Sequence, residues 1–323
     1  MTNCKTIIDE MNDMGKNKIP FLFIFDFLCK APLIFRLDDI NPDDLLFSLN
    51  GTTNTKLSIP NNKHLSFDIT PVSESRYLEA FNKVQYHIHH GDSFLLNLTM
   101  PSEIESNYDL KDIFFASKAK YKLWLKDKFV VFSPEIFVQT KENKISSFPM
   151  KGTIDANLPD AEQQLLNSEK ELAEHFTIVD LIRNDLSMVA KNVKVDTFRF
   201  VDRITTNKGE LLQMSSKVSG ELCDNFRENI GTILSKMLPA GSISGAPKKK
   251  TLEIIEDAEN YDRGYYTGIF GVFDGQNIDS GVMIRFVEQL GDKLIYKSGG
   301  GITAKSKVEE EFDELVKKVY VPI

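Results

Sequence analysis

Ser147-Phe148-Pro149-Met150-Lys151-Gly152-Thr153 says little by itself, but its neighbours give it meaning. A Ser133-Pro134-Glu135 turn lies sixteen residues upstream of Lys151. Downstream comes the acidic run Glu169-Lys-Glu-Leu-Ala-Glu-His175, which leads into Val179-Asp-Leu-Ile-Arg-Asn-Asp185. The loop Pro239-Ala-Gly-Ser-Ile-Ser-Gly-Ala-Pro-Lys248 follows, then Arg263-Gly-Tyr-Tyr-Thr-Gly268 and Ile284-Arg285. Gly299-Gly-Gly-Ile302 and Glu311-Phe-Asp-Glu314 complete the series.

The chain has 323 residues, 41% of them hydrophobic, enough for a substantial core. Its net charge is −8 and no long Lys/Arg cluster occurs, which argues against a nucleic-acid partner. A local pocket can still be basic on an acidic protein, so an anionic substrate stays open. Three cysteines, Cys4, Cys29 and Cys223, are far apart and odd in number. They suggest neither a disulfide framework nor a zinc site, and are expected as reduced thiols in a cytoplasmic protein. No signal-peptide pattern opens the chain. The run Ile19–Leu28 is too short for a membrane span and carries Asp26, so it reads as a buried strand.

Residues 1–18 read as a polar helix or frayed end, and 19–36 as one or two strands. Residues 37–66, rich in Asn, Asp, Pro and Thr, read as irregular. Tyr77, Phe81, Val84 and Ile88 give a helix from Ser73 to His90, and Phe94–Thr99 a strand. Short strands are expected at Phe129–Ser133, Glu135–Thr140 and Lys144–Phe148. The clearest helix runs from about Ser168 to Leu186, with Leu172, Phe176, Val179 and Leu186 as its buried stripe. A strand-rich stretch, a helix after Pro247, a hairpin Ile269–Phe273/Gly281–Glu288 and a helix from Val308 to Tyr320 follow. With no repeat or linker, one large α+β domain over 1–323 is the simplest account, its core at 71–323.

Glu171 and Glu174 share one helix face at i,i+3 spacing, and Glu311 and Glu314 repeat the pattern. Ser306-Lys-Val-Glu309 has the form of a capping box for the last helix. If the glutamate pairs face each other they need a hard cation with oxygen ligands, such as Mg²⁺. Charge runs usually face water, however, so the pairs alone leave two solvated faces as the simpler reading. Gly299-Gly300-Gly301 allows close backbone approach, and Arg285 offers a bidentate fork for a carboxylate. Tyr266 can donate from its phenol, and Lys318 follows Glu314 by one turn. Each has an ordinary structural alternative.

Taken in order, these motifs resemble the chorismate-utilising enzymes, from about Gly91 to Lys318. The resemblance implies two large, mainly antiparallel sheets packed face to face, with helices outside. It implies Mg²⁺ between two helices, with Glu174 and Glu311 as ligands and Glu171 and Glu314 alongside. It places Tyr266, Arg285, Gly300 and Lys318 on the substrate carboxylates, Gly152 and Thr153 on the ring, and Gly299, Gly301 and, in the Gly-Ala-Pro-Lys loop, Ser244 among the substrate-binding residues. Lys151 matches the lysine of the lysine-type aminodeoxychorismate synthases. There it attacks C2 of chorismate while Glu135, as general acid, helps expel the C4 hydroxyl. Anthranilate synthases usually carry a small residue at Lys151. Isochorismate and salicylate synthases keep a lysine where this chain has Leu95.

Other positions depart from the family. Gln213 replaces a common histidine, and Gln cannot exchange a proton near neutral pH. Phe286 stands where threonine is usual, and Val308 where proline is. The N-terminal portion, 1–70, is short and lacks the Leu-Leu-Glu-Ser-Ser stretch of tryptophan-inhibited relatives. No glutaminase half is expected, so ammonia would come from a separate glutamine amidotransferase subunit. A rival reading is a non-catalytic chorismate-binding relative, which would need neither Glu135 nor Lys151.

Overall fold

Phe21–Phe25 is a strand buried at every position, which explains how five consecutive large side chains are accommodated. Asp26 ends it. The carboxylate is buried and accepts the Lys30 and Ala31 backbone N–H groups at 2.9 and 2.7 Å, closing the turn that follows. This computed structural model describes residues 4–56, 66–206 and 209–322.

The chain divides into two compact units, each built on one sheet. The first comprises Met1–Arg36, Glu135–Ser242 and Ile269–Gly281. Its nine-stranded sheet runs Met150–Asp155, Gly209–Glu221, Lys144–Ser147, Ile136–Lys141, Ile278–Val282, Ile269–Phe273, Phe21–Phe25, Leu33–Arg36, with Lys191–Thr206 also paired to Gly209–Glu221. The second comprises Leu37–Pro134, Ile243–Gly268 and Val282–Ile323. Its nine-stranded sheet centres on Leu95–Ser106, Lys293–Ile302, Phe286–Leu290 and Phe129–Ser133. The pairings are antiparallel, and this is the two-sheet α+β class expected from the sequence.

In the first unit the helix Glu169–Ser187 starts close to the expected Ser168. Ser168 accepts the Glu171 N–H at 3.3 Å, satisfying one orphan donor of the first turn. The buried stripe differs from the expected one. His175, Ile178, Val179, Ile182 and Leu186 are buried, whereas Phe176 is 54% exposed and stacks on Phe198. Glu171 and Glu174 are half-buried and lie toward the strand Met150–Asp155.

In the second unit the core gathers Leu46, Ile104, Phe114, Trp124, Phe132 and Tyr296. Leu46 belongs to Leu45–Leu49, a fully buried strand within the stretch read as irregular. Residues 57–65 of that stretch lie outside the described residues. Ser73 caps the helix Glu74–His89 as expected.

Three further expectations are corrected. Cys4 and Cys29 form a disulfide with their Cα atoms 6.3 Å apart, leaving only Cys223 free, and exposed. The 25-residue separation is closed because the helix Cys4–Lys16 doubles back through Phe21–Phe25 to the turn after it. Ser306 forms no capping box. The cap of Val308–Lys317 is Lys307, and the Ser306 hydroxyl donates instead to Glu311 Oε1 at 2.7 Å. The expected hairpin reaching Glu288 is two strands, Ile278–Val282 in the first sheet and Phe286–Leu290 in the second.

Candidate active site

Lys151 lies on the strand Met150–Asp155, whose register against Gly209–Glu221 slips between Met150 and Thr153. Met150 pairs with Ser215 and Thr153 with Gln213, so one extra residue is inserted. A bulge of this kind re-aims the side chains it contains. Gly152 has φ +88°, a conformation that disfavours any side chain. A Cβ there would also fall 2.9 Å from Glu171 Oε2 and 3.1 Å from Leu165 Cδ1. The glycine thus lets Glu171 approach the strand, and Glu174, one turn on, reaches Lys151 Nζ at 2.7 Å. The side chain of Thr153 lies outside the described part of the structure.

This geometry predicts that Gly152→Ala costs about 1–3 kcal/mol, the usual penalty for backbone strain at a single residue. It should also lower turnover, because Glu171 and the bulge must shift together. Thermal melting with parallel activity measurements checks this. An alanine variant equal to wild type in both would contradict the packing described.

Behind Glu174, His175 is fully buried, with Nε2 2.6 Å from Ser216 Oγ. Burial and the Arg199 charge push its pKa down to about 4, so it is neutral near pH 7. The Ser216 N–H donates to Pro149 O at 3.0 Å, fixing the strand just before Lys151. Sequence reading passed over His175, whose only signal is its place beside Glu174. Glu135 stands just before Ile136–Lys141 and accepts a hydrogen bond from Ser242 Oγ at 2.8 Å.

The second unit gathers another set. Gly299, Gly300 and Gly301 lie within the strand Lys293–Ile302, opposite Thr99, Leu98 and Asn97. A Cβ on Gly300 would lie 3.4 Å from Glu311 Oε2, 3.7 Å from Glu314 Oε1 and 3.7 Å from Lys318 Nζ. Two carboxylates and an ammonium thus converge on one glycine. Lys318 Nζ contacts Glu314 Oε1 at 2.6 Å and donates to Gly299 O at 2.9 Å. Burial, with the charges of Glu311 and Glu314, pushes the Tyr77 hydroxyl pKa well above its ordinary value. Arg285 donates to Lys318 O and lies against the Tyr320 ring. Tyr266 and Ser244 are buried.

The carboxylate oxygens of Glu311 and Glu314, and those of the Glu171–Glu174 pair, are donors that suit a hard cation, although Lys318 contacts Glu314 and Lys151 contacts Glu174 here. The four glutamates fall as one pair in each unit. Among the described residues, no three His, Cys, Asp or Glu side chains are grouped to hold a metal by themselves. No described helix is long and apolar enough to cross a membrane.

A family model described as chorismate binding enzyme matches residues 40–323. The chain belongs to the chorismate-binding enzymes. It is 51% identical over 316 residues to an uncharacterized PabA-like protein of Haemophilus influenzae, covering 98% of this chain and 96% of that protein. It is 29% identical to aminodeoxychorismate synthase component 1 of Bacillus subtilis, over 77% of this chain and 55% of that one. It is 36% identical to anthranilate synthase component 1 of Aquifex aeolicus, over 59% of this chain and 39% of that one. Among solved structures, the menaquinone-specific isochorismate synthase MenF of Escherichia coli shares the fold. The TM-score is 0.77 at 14% identity, covering 98% of this chain and 81% of that one.

For a chorismate-binding enzyme the arrangement is chemically apt. Chorismate carries two carboxylates, and the second unit offers Lys318, Arg285 and glycine backbone within a short span of the fold. The first unit offers an amine, Lys151, and a carboxyl held by a hydroxyl, Glu135.

Proposed function

We propose that this chain is the synthase subunit of an aminodeoxychorismate synthase, acting in the cytoplasm. It converts chorismate and ammonia to 4-amino-4-deoxychorismate, for 4-aminobenzoate and folate synthesis. Lys151, aimed by a glycine bulge and paired with Glu174, is the observation that carries this reading. An amine at that position supplies a nucleophile that an anthranilate synthase does not need. The similarity to aminodeoxychorismate synthase component 1 supports the reading. The higher identity to an anthranilate synthase over a shorter region favours anthranilate formation as the second reading.

In the proposed reaction the Lys151 amine attacks C2. The ring electrons shift toward C4, the C4–O bond breaks, and the hydroxyl takes a proton from Glu135 and leaves as water. Ammonia then adds at C4 and gives up a proton that restores Glu135 to its acid form, while the C2–N bond breaks and Lys151 is released as the amine. The Lys151 ammonium must first give up a proton, for which Glu174 is the base in contact with it, because only the neutral amine attacks. Arg285, Tyr266, Lys318 and the Gly299–Gly301 backbone bind the substrate carboxylates, Gly152 and Thr153 line the ring, and Ser244 completes the substrate-binding set. Glu174 and Glu311, with Glu171 and Glu314 alongside, would hold Mg²⁺. The cation would neutralise these carboxylates and anchor a substrate carboxylate. Ammonia would come from a separate glutamine amidotransferase subunit.

The test is a product assay: purified protein with chorismate, Mg²⁺ and an ammonium salt, read by mass spectrometry. Aminodeoxychorismate is the expected product. Anthranilate with pyruvate would establish the second reading instead. Binding of chorismate with no turnover, even with a cognate amidotransferase, would mark a non-catalytic relative.

A further inference from the structure

One of the contacts that hold Glu135 comes from far along the chain. Ser242, in the turn Gly241–Ile243 more than a hundred residues later, donates to it. That turn is anchored in its own right. The Gly241 N–H donates to Asp185 Oδ2 at 2.7 Å, and Asp185 is a buried carboxylate near the end of the helix Glu169–Ser187. Gly241 allows the approach, since a Cβ there would lie 3.0 Å from Asp185 Oδ2 and 3.3 Å from Leu181 Cβ. A charged acceptor for a backbone N–H makes this one of the stronger hydrogen bonds. Helix, turn, hydroxyl and carboxyl are thereby connected from Asp185 through Gly241 and Ser242 to Glu135.

We infer that Ser242 is a positioning residue for Glu135, and that its hydroxyl selects which carboxyl oxygen carries the transferable proton. This rests on the reading of Glu135 as the proton donor. A carboxylic acid has one proton for two oxygens. Ser242 donates to Oε1, so Oε1 stays an acceptor and the proton sits on Oε2. During transfer the Oε2–H bond breaks, the proton joins the departing hydroxyl, and the C4–O bond breaks to release water. The carboxylate left behind keeps the Ser242 hydrogen bond on Oε1, which stabilises the new negative charge. Ser242 itself gains and loses nothing.

The experiment compares Ser242→Ala and Ser242→Thr with wild type. The alanine variant is expected to lower kcat about thirtyfold, ~2 kcal/mol at tenfold per 1.36 kcal/mol. KM for chorismate and the melting temperature should stay unchanged. Threonine, which keeps the hydroxyl, should return kcat to near wild type. A second readout is independent of turnover: carbon-13 NMR of the Glu135 carboxyl, assigned by its loss in Glu135→Gln. Removing a donor to the charged form raises a carboxyl pKa, so Ser242→Ala should move this titration up by about one unit. An alanine variant with wild-type kcat and an unmoved titration overturns the inference. So does a loss of kcat that threonine fails to restore and that comes with lower melting, since that marks a merely structural role. If wild type makes no product from chorismate, the proposed function fails. The carboxyl titration then decides the role of Ser242 alone.

Discussion

Lys151→Ala is expected to abolish aminodeoxychorismate formation, by on the order of 10³-fold or more, which is about 4 kcal/mol of transition-state stabilisation. The size follows from what the amine does. A nucleophile that forms a covalent intermediate divides one difficult displacement into two easier ones, and alanine offers no substitute. Chorismate affinity should change little, because the substrate carboxylates are assigned to Arg285, Tyr266, Lys318 and the Gly299–Gly301 backbone. The loss therefore belongs in kcat, with KM within a few-fold of wild type. Intact-protein mass spectrometry gives a direct check. Wild type incubated with chorismate and Mg²⁺ but no ammonia should gain the mass of one chorismate less one water, and Lys151→Ala should not. Product formation by the alanine variant at wild-type rate would remove Lys151 from the mechanism.

Much of this architecture is legible in the sequence because it rests on local signals. The helix starts read at Ser73 and Ser168 are N-caps in the structure, and the strand Phe21–Phe25 shows in its run of large apolar residues. The Lys151 bulge is signalled by the adjacent glycine. Other features depend on distant partners. Leu45–Leu49 is short and flanked by Asn, Asp and Pro, so its burial depends on pairing with Tyr121–Leu125. Phe176 fits the helical period as well as His175 does. Only the neighbouring sheet decides that the histidine is buried and the phenylalanine exposed. Lys122 belongs to no motif. It is buried, donates to Phe114 O and Ser117 O, and is pushed down to about pKa 8 by desolvation. The Cys4–Cys29 pairing and the Ser242–Glu135 contact likewise join segments whose spacing carries no pattern. The residues proposed to carry the chemistry stand out by type and order, and the groups that hold them in place do not.

Arg263→Met is expected to destabilise the second unit by about 3–5 kcal/mol, the usual cost of breaking a buried ion pair on one side. Both Arg263 and Glu259 side chains are 1% exposed. Nε donates to Glu259 Oε2 at 2.8 Å and Nη2 to Oε1 at 2.6 Å, a two-pronged pair. Burial disfavours the guanidinium charge, but Glu259 more than reverses this, and the Arg263 pKa stays above its ordinary value. The same fork donates to Ile243 O at 2.9 Å and Asn97 O at 2.6 Å. It therefore ties the residue before Ser244 to the strand that pairs with Gly300 and Gly301. Methionine fills similar volume but leaves Glu259 charged and buried, with the Thr99 N–H and hydroxyl, at 2.7 and 2.9 Å, still donating to Oε1. Urea unfolding should show the loss as a lower midpoint. The double variant Arg263→Met/Glu259→Met should regain a large part of it, because removing both charges removes the unpaired one. If the double variant is no more stable than the single, the cost lies in the lost carbonyl contacts to Ile243 and Asn97 rather than in the stranded carboxylate. A single variant as stable as wild type would contradict the buried pair itself.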